Sequence, residues 1–185
     1  TLIDHDPVIR DRLANNRVNE IKTGGQYWGI ELPYPVLLPN EADFLYSFLF
    51  QQKRQGGFIE VLLPQYERNH VSGDIAASKV LPNQKGSTVK ITIPNLTRLP
   101  RPGDLFKLST HYKVYMITDV SKNNDTLTLG IHPDLHITTT GSEKPVFNGI
   151  LFQTKPTNLQ ALKMILTSDG VYEGFTLSLE ESTNR

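Results

Sequence analysis

Cysteine is missing from all 185 residues, which removes any disulfide framework and any thiolate metal site and fits a reducing compartment. No apolar run approaches the roughly 20 residues a membrane helix needs. The opening TLIDHDPVIRDR is too polar for a secretory signal. The expectation is therefore a chain that folds in the cytosol, with no membrane insertion. An excess of charge of either sign is also lacking, since 19 Lys and Arg balance 19 Asp and Glu. Without a broad basic surface to gather phosphates, specific nucleic-acid binding is not expected. The basic residues Lys53, Arg54 and Arg68, or Arg98 and Arg101, read as solvated ends and turns.

Catalytic motifs are absent as well. There is no G-x-S-x-G elbow and no P-loop, and the glycines at 24, 25 and 29 have the wrong spacing for a dinucleotide fingerprint. The acidic residues fall at helix starts, in turns and in the tail at Glu180 and Glu181, not as facing pairs for acid–base work. His132 and His136 in HPDLH would converge on a metal only in a helix, which Pro133 opposes. Asp4-His5-Asp6 reads as a solvated terminus. The sequons at Asn95 and Asn124 read as chance matches. The expectation is a protein that is no enzyme, with no catalytic residue, no bound metal and no cofactor.

What is present is strand and one helix. Residues 17–23 read as a polar strand, Gly24-Gly25 as a tight turn and Gln26–Leu32 as the return strand of a hairpin. In that return strand Trp28, Ile30 and Leu32 alternate with Tyr27, Gly29 and Glu31, so one face is apolar. Pro33 and Pro35 should stop the ladder. A helix is predicted over residues 40–54, with Asn40 as cap, Glu41 and Asp43 in the first turn, Lys53 and Arg54 in the last and Gly56-Gly57 as the exit. Phe44, Leu45, Phe48 and Leu49 form its apolar stripe, flanked by Tyr46 and Phe50. Trp28, Ile30, Leu32, Phe44, Leu45, Phe48 and Leu49 are thus the expected core anchors.

The rest reads as short strands: 58–64, 88–93, 105–108, 113–120, 126–131, 150–155, 159–167 and 171–180. Pro94, Pro100 and Pro102 within 94–104 look like a boundary. The predicted fold is mainly β: a β-sandwich over residues 1–93 and 136–185, with helix 40–54 packed on a sheet, and a small inserted or appended β subdomain over 94–135. The aromatic cluster of Tyr27, Trp28, Tyr34, Phe44, Tyr46, Phe48 and Phe50 admits a sugar-binding platform, but reads better as the core between helix and sheet.

The order of elements resembles a family of tailed-bacteriophage proteins, the distal tail and baseplate-hub adaptors. The likeness is carried by Gln26–Leu32, by the helix ending at Gln55-Gly56-Gly57-Phe58, by the strand ending Leu62-Leu63-Pro64, and by Pro102–Phe106, Lys113–Ile117, Ile131–Leu135 and Tyr172–Glu181. The resemblance implies a tail-tube-like sandwich and a structural protein of the virion tail and baseplate, assembled in the host cytoplasm. It implies a homo-oligomeric ring, typically a hexamer, that joins the tail tube to the hub or fibre proteins. A carbohydrate- or receptor-binding tail module, and a tail-tube initiator or completion protein, are the alternative readings.

Overall fold

Alternation around Trp28 organises the first sheet. The computed structural model describes residues 1–12, 16–22, 24–67, 70–159 and 162–183. In chain order the elements are β1 (Leu2–His5), β2 (Val8–Arg12), β3 (Val18–Lys22), β4 (Tyr27–Tyr34), α1 (Pro39–Gln55), β5 (Ile59–Leu62), β6 (Lys79–Val80), β7 (Thr88–Thr92), β8 (Leu105–Leu108), β9 (Val114–Asn123), β10 (Thr126–His132), β11 (Pro145–Val146), β12 (Leu151–Pro156) and β13 (Phe175–Glu181). The fold is mainly β and sandwich-like, with a five-stranded sheet in the order β1-β4-β13-β12-β5, a six-stranded sheet β11-β8-β9-β10-β7-β6 and a two-stranded ribbon β2-β3. The chain divides into two units, one of Thr1–Ile59 with Thr154–Ser182 and one built on Glu60–Gln153.

In the first unit β4 lies between β1 and β13, in antiparallel register with both: Asp4 opposite Trp28, Leu2 and Leu179 opposite Ile30, and Leu177 opposite Leu32. Trp28, Ile30, Leu177 and Leu179 are buried, and Leu32 is half-buried. This is the face the alternation predicts. The partner is different, however. The Gly24-Gly25 hairpin does not form, because β3 pairs with β2, and neither glycine takes a positive φ. The cover for Ile30 and Leu32 comes from Leu179 and Leu177 of β13, which stand opposite them. The N-terminus supplies β1 rather than a solvated tail. His5 stacks on Tyr27 at 4.8 Å between ring centres and fills the space above Gly29, where a Cβ would stand 2.5 Å from the imidazole.

Pro33 does not stop β4; it pairs with Thr176. Glu31 N donates to Thr1 O at 3.0 Å, and the Pro33 nitrogen, two residues on, points to the same side of the strand with no N–H that asks for a partner.

Helix α1 starts one turn-position earlier than its predicted cap. Pro39 occupies the first helical position, and the Glu41 carboxylate accepts from Leu38 N at 3.0 Å, so Asn40 lies inside the helix. The exit follows prediction: Gly56 takes φ +60° and donates its N–H to Gln52 O at 2.9 Å. The helix packs through Ala42, Tyr46 and half-buried Leu45 against Leu37, Leu162, Tyr172 and Phe175. Tyr46 stacks on Phe175 at 5.6 Å, and Phe175 stacks on Tyr34 at 5.1 Å. Phe175 faces Tyr34 in the register, and counting by twos places both on the Trp28 face. The helix therefore meets the sheet on the predicted face.

Segment 159–167 was expected as a strand. Among its described residues there is only an isolated bridge from Leu166 to Tyr172, and residues 160–161 lie outside the described part. Both ladder sides of β12 are already taken, by β13 and β5.

The second unit is larger than the predicted 94–135. Its sheet is antiparallel throughout the registered pairs, and β7 (88–92) pairs with β10 (126–132), with Ile91 opposite Leu127 and Val89 opposite Leu129. A boundary at residue 93 or 94 would cut that sheet. The proline-rich segment 94–104 is instead a pinned loop inside the unit: Asp74 N donates to Pro94 O at 2.9 Å, Ser72 N to Arg98 O at 3.2 Å and Gly103 N to Ile117 O at 2.7 Å, while Lys122 Nζ donates to Leu96 O at 2.8 Å. At its other end β11 (145–146) pairs with β8, so residues after 135 also belong here. Prolines mark irregular backbone, and here the apolar face of β7 decides membership: Val89 and Ile91 are fully buried with Phe106, Leu108, Tyr115, Leu127 and Leu129 in one core.

Candidate assembly surfaces

The predicted anchors separate into three groups. Trp28, at 3% exposure, Ile30 and Leu49 are buried. Leu32 and Leu45 are half-buried. Phe44 and Phe48, at 81% and 42% exposure, are not core residues at all. The helix is rotated from its predicted setting so that Ala42, Leu45, Tyr46 and Leu49 face inward. That set has the same i, i+3, i+4, i+7 spacing as a stripe, and ranking Tyr46 below phenylalanine hid it. Two sequence signals favour it: a small residue, Ala42, where backbones approach, and a phenol whose hydroxyl needs a partner. Tyr46 Oη finds one in Lys163 O at 3.2 Å. Burial, and after it Tyr172, pushes the Tyr46 phenol above its ordinary pKa, which keeps it a donor.

Trp28 has no free ring face to offer a sugar, and its backbone N–H donates to the buried carboxylate of Glu181 at 3.3 Å. The carbohydrate platform is therefore not built on the indole. The apolar surplus of the first unit lies elsewhere. Part of it is on the outer face of α1, where Phe44 and Phe48 stand one turn apart, and part is on the β2-β3 ribbon, where Ile9 and Ile21, paired across the strands, are 61% and 65% exposed. On the opposite face of the ribbon Arg10 Nε meets Glu20 at 2.8 Å.

The second unit has buried polar clusters that its own backbone satisfies. Asp104 accepts from Arg101 N at 2.8 Å and sits 2.8 Å from His70 Nδ1. Glu143 accepts from Thr140 N at 2.7 Å, Thr140 Oγ1 at 2.9 Å and Gly141 N at 2.8 Å. His111 lies 3.2 Å from Tyr115 Oη and 4.0 Å from Glu143 Oε1. Burial lowers the His111 pKa; Glu143 opposes this, and His136 adds to it. Burial would raise Glu143, but the Thr140 and Gly141 hydrogen bonds outweigh it and hold the carboxyl below its usual range.

Both shifts make acid destabilising. A histidine held neutral in the fold loses stability as pH falls through the unfolded value of about 6.5, where only the unfolded chain takes up the proton. The carboxyl adds a further loss as pH falls through its depressed folded value. The thermal midpoint of the second unit is expected to be flat from about pH 8 to 7 and to fall below about 6.5. His111→Gln should flatten the upper part of that fall and leave the lower part. An unchanged pH slope in the variant would contradict the assignment.

The remaining sequence candidates do not assemble into chemistry. His132 ends β10 and His136 lies beyond it, its N–H donating to Tyr115 Oη at 3.2 Å. Among the described residues no group of three His, Asp or Glu side chains could hold a metal ion. Asp4 accepts from Gln26 Nε2, and with His5 it belongs to strand β1. Arg68 lies outside the described residues. No helix among the described residues is long and apolar enough to cross a membrane.

A β-rich chain whose polar clusters serve its own backbone and whose apolar excess lies outside has the character of a structural protein. Two family models match it: "Distal tail protein pb9, A domain, N-terminal" over residues 1–66 and "Distal tail protein pb9, B domain" over residues 67–150. The distal tail protein pb9 of Escherichia phage T5 is 51% identical over 182 residues, covering 98% of this chain and 89% of that protein. The chain belongs to the distal tail protein pb9 family. The B-domain match at 67–150 falls within the structural unit built on Glu60–Gln153.

Proposed function

We propose that this chain works as a ring-forming distal tail protein. As a member of its family it is a structural component of a bacteriophage tail. In the finer reading, six copies form a closed ring at the host-proximal end of the tail tube and join it to the baseplate hub or fibre proteins, after assembly in the host cytoplasm. This work requires surfaces and no catalytic group.

The observation that carries the reading is the 51% identity to the T5 protein along nearly the whole chain. Both units are matched, so the two-unit plan is shared rather than one module being borrowed. The exposed Phe44–Phe48 and Ile9–Ile21 patches support self-association, because apolar side chains of this size are costly to leave in water. Native mass spectrometry of the purified full chain over a range of concentrations tests it. The expected result is a single closed oligomer, six-fold in mass. A strict monomer at every concentration would overturn the ring.

A further inference from the structure

Asn148 and Gly149 make the only Asn-Gly pair in the sequence, and they form an exposed turn between buried Phe147 and buried Ile150. Glycine has no side chain to shield its backbone nitrogen, so an asparagine before it can lose its amide to that nitrogen. In that reaction the bond from Gly149 N to Asn148 Cγ forms and the Cγ–Nδ2 bond breaks. The proton from Gly149 N passes through solvent to the departing amide, which leaves as ammonia. One water then opens the resulting ring at either carbonyl and leaves aspartate or isoaspartate. No oxidant or reductant takes part.

In this fold that nitrogen is engaged. One turn of 3-10 helix over Pro64–Tyr66 ends with Glu67 N donating to Pro64 O at 3.1 Å, and this places the Glu67 carboxylate on the 148–150 turn. Gly149 N donates to Glu67 Oε1 at 2.9 Å and Oε2 at 3.1 Å, and Ile150 N donates to Oε1 at 3.3 Å. Glu67 and the turn belong to the same unit. Two effects follow. The N–H has to leave a charge-assisted bond before its nitrogen can attack. The negative charge beside it also opposes the loss of its proton.

We propose that Asn148-Gly149 is a self-modification site, deamidated by water without an enzyme, and that Glu67 is the latch that holds it unreacted in the folded chain. The product works against the latch. A carboxylate at position 148 brings a second negative charge to the turn that Glu67 holds, so the aged chain should exchange its Gly149 and Ile150 amide protons faster than the fresh one.

The full chain, aged at mildly alkaline pH, tests this, with mass spectrometry of the peptide that carries Asn148 measuring the conversion of amide to acid. The parent is expected to react about tenfold to a hundredfold more slowly folded than in denaturant, the factor that one hydrogen bond to a charged group corresponds to. Glu67→Ala should recover most of that difference while still folded. Glu67→Gln keeps an accepting oxygen without the charge and should fall between. Ile91→Ala removes fully buried volume from β7 of the same unit and leaves the Glu67 bonds in place, so it should react more slowly than Glu67→Ala.

Equal rates for the parent and Glu67→Ala would overturn the latch. So would an Ile91→Ala rate as high as that of Glu67→Ala, which would make general loosening of the unit the cause. An Asn148 that stays unreacted even in denaturant would overturn the site itself.

Discussion

Leu49→Asp is expected to unfold the first unit, whereas Phe48→Asp, one residue earlier, is expected to leave its stability within about 0.5 kcal/mol of the parent. Leu49 is fully buried, while Phe48 is 42% exposed on the outer side of the same helix. An aspartate at position 49 would have to bury an ionised carboxylate with no partner, or protonate to avoid it. Either course costs several kcal/mol, a large part of the 5 to 15 kcal/mol that holds a typical domain together. An aspartate at 48 keeps its water. Thermal unfolding followed by circular dichroism separates the two. Equal losses at both positions would mean that the helix is set about its axis as Phe44 and Phe48 suggested from sequence.

Phe106→Ala should be the most damaging truncation in the second unit, at about 3 to 5 kcal/mol. The ring is fully buried between Tyr115, at 5.5 Å, and Phe147, at 6.1 Å. Its neighbours come from β9 and from the residue after β11, so deletion opens a void lined by side chains on separate strands, and these cannot collapse together without shifting the ladder. Phe106→Leu keeps most of the volume and should cost less than about 1.5 kcal/mol. The loss should be read in the second unit itself, by hydrogen exchange at β8, β9 and β10. Unchanged protection in Phe106→Ala would show that the core does not depend on this ring.

The parts of the fold that were legible in the sequence depend on short-range patterns. Trp28, Ile30 and Leu32 alternate, and that period of two placed them on one face of β4. The existence and end of α1 followed from the acidic first turn and the left-handed glycine at 56. What failed depends on partners far along the chain. Gly24-Gly25 is a good local turn signal, yet β4 takes β1 and β13, which set Leu2 and Leu179 opposite Ile30 and Leu177 opposite Leu32. The setting of α1 failed for a related reason. Phenylalanine outranks tyrosine and alanine on any hydropathy scale, but Tyr46 has a carbonyl waiting for its hydroxyl and an aromatic stack on Phe175. Sequence cannot tell a phenylalanine that enters the core from one that stays on the outer face of a helix. The domain boundary was misplaced because the prolines of 94–104 are louder than the pairing of β7 with β10.

A ring at the distal end of a tail would be visible by electron cryomicroscopy of intact tails that carry this chain. The expected density is six copies in a single ring where the tube ends. A single copy on the axis, or copies elsewhere than where the tube ends, would contradict it.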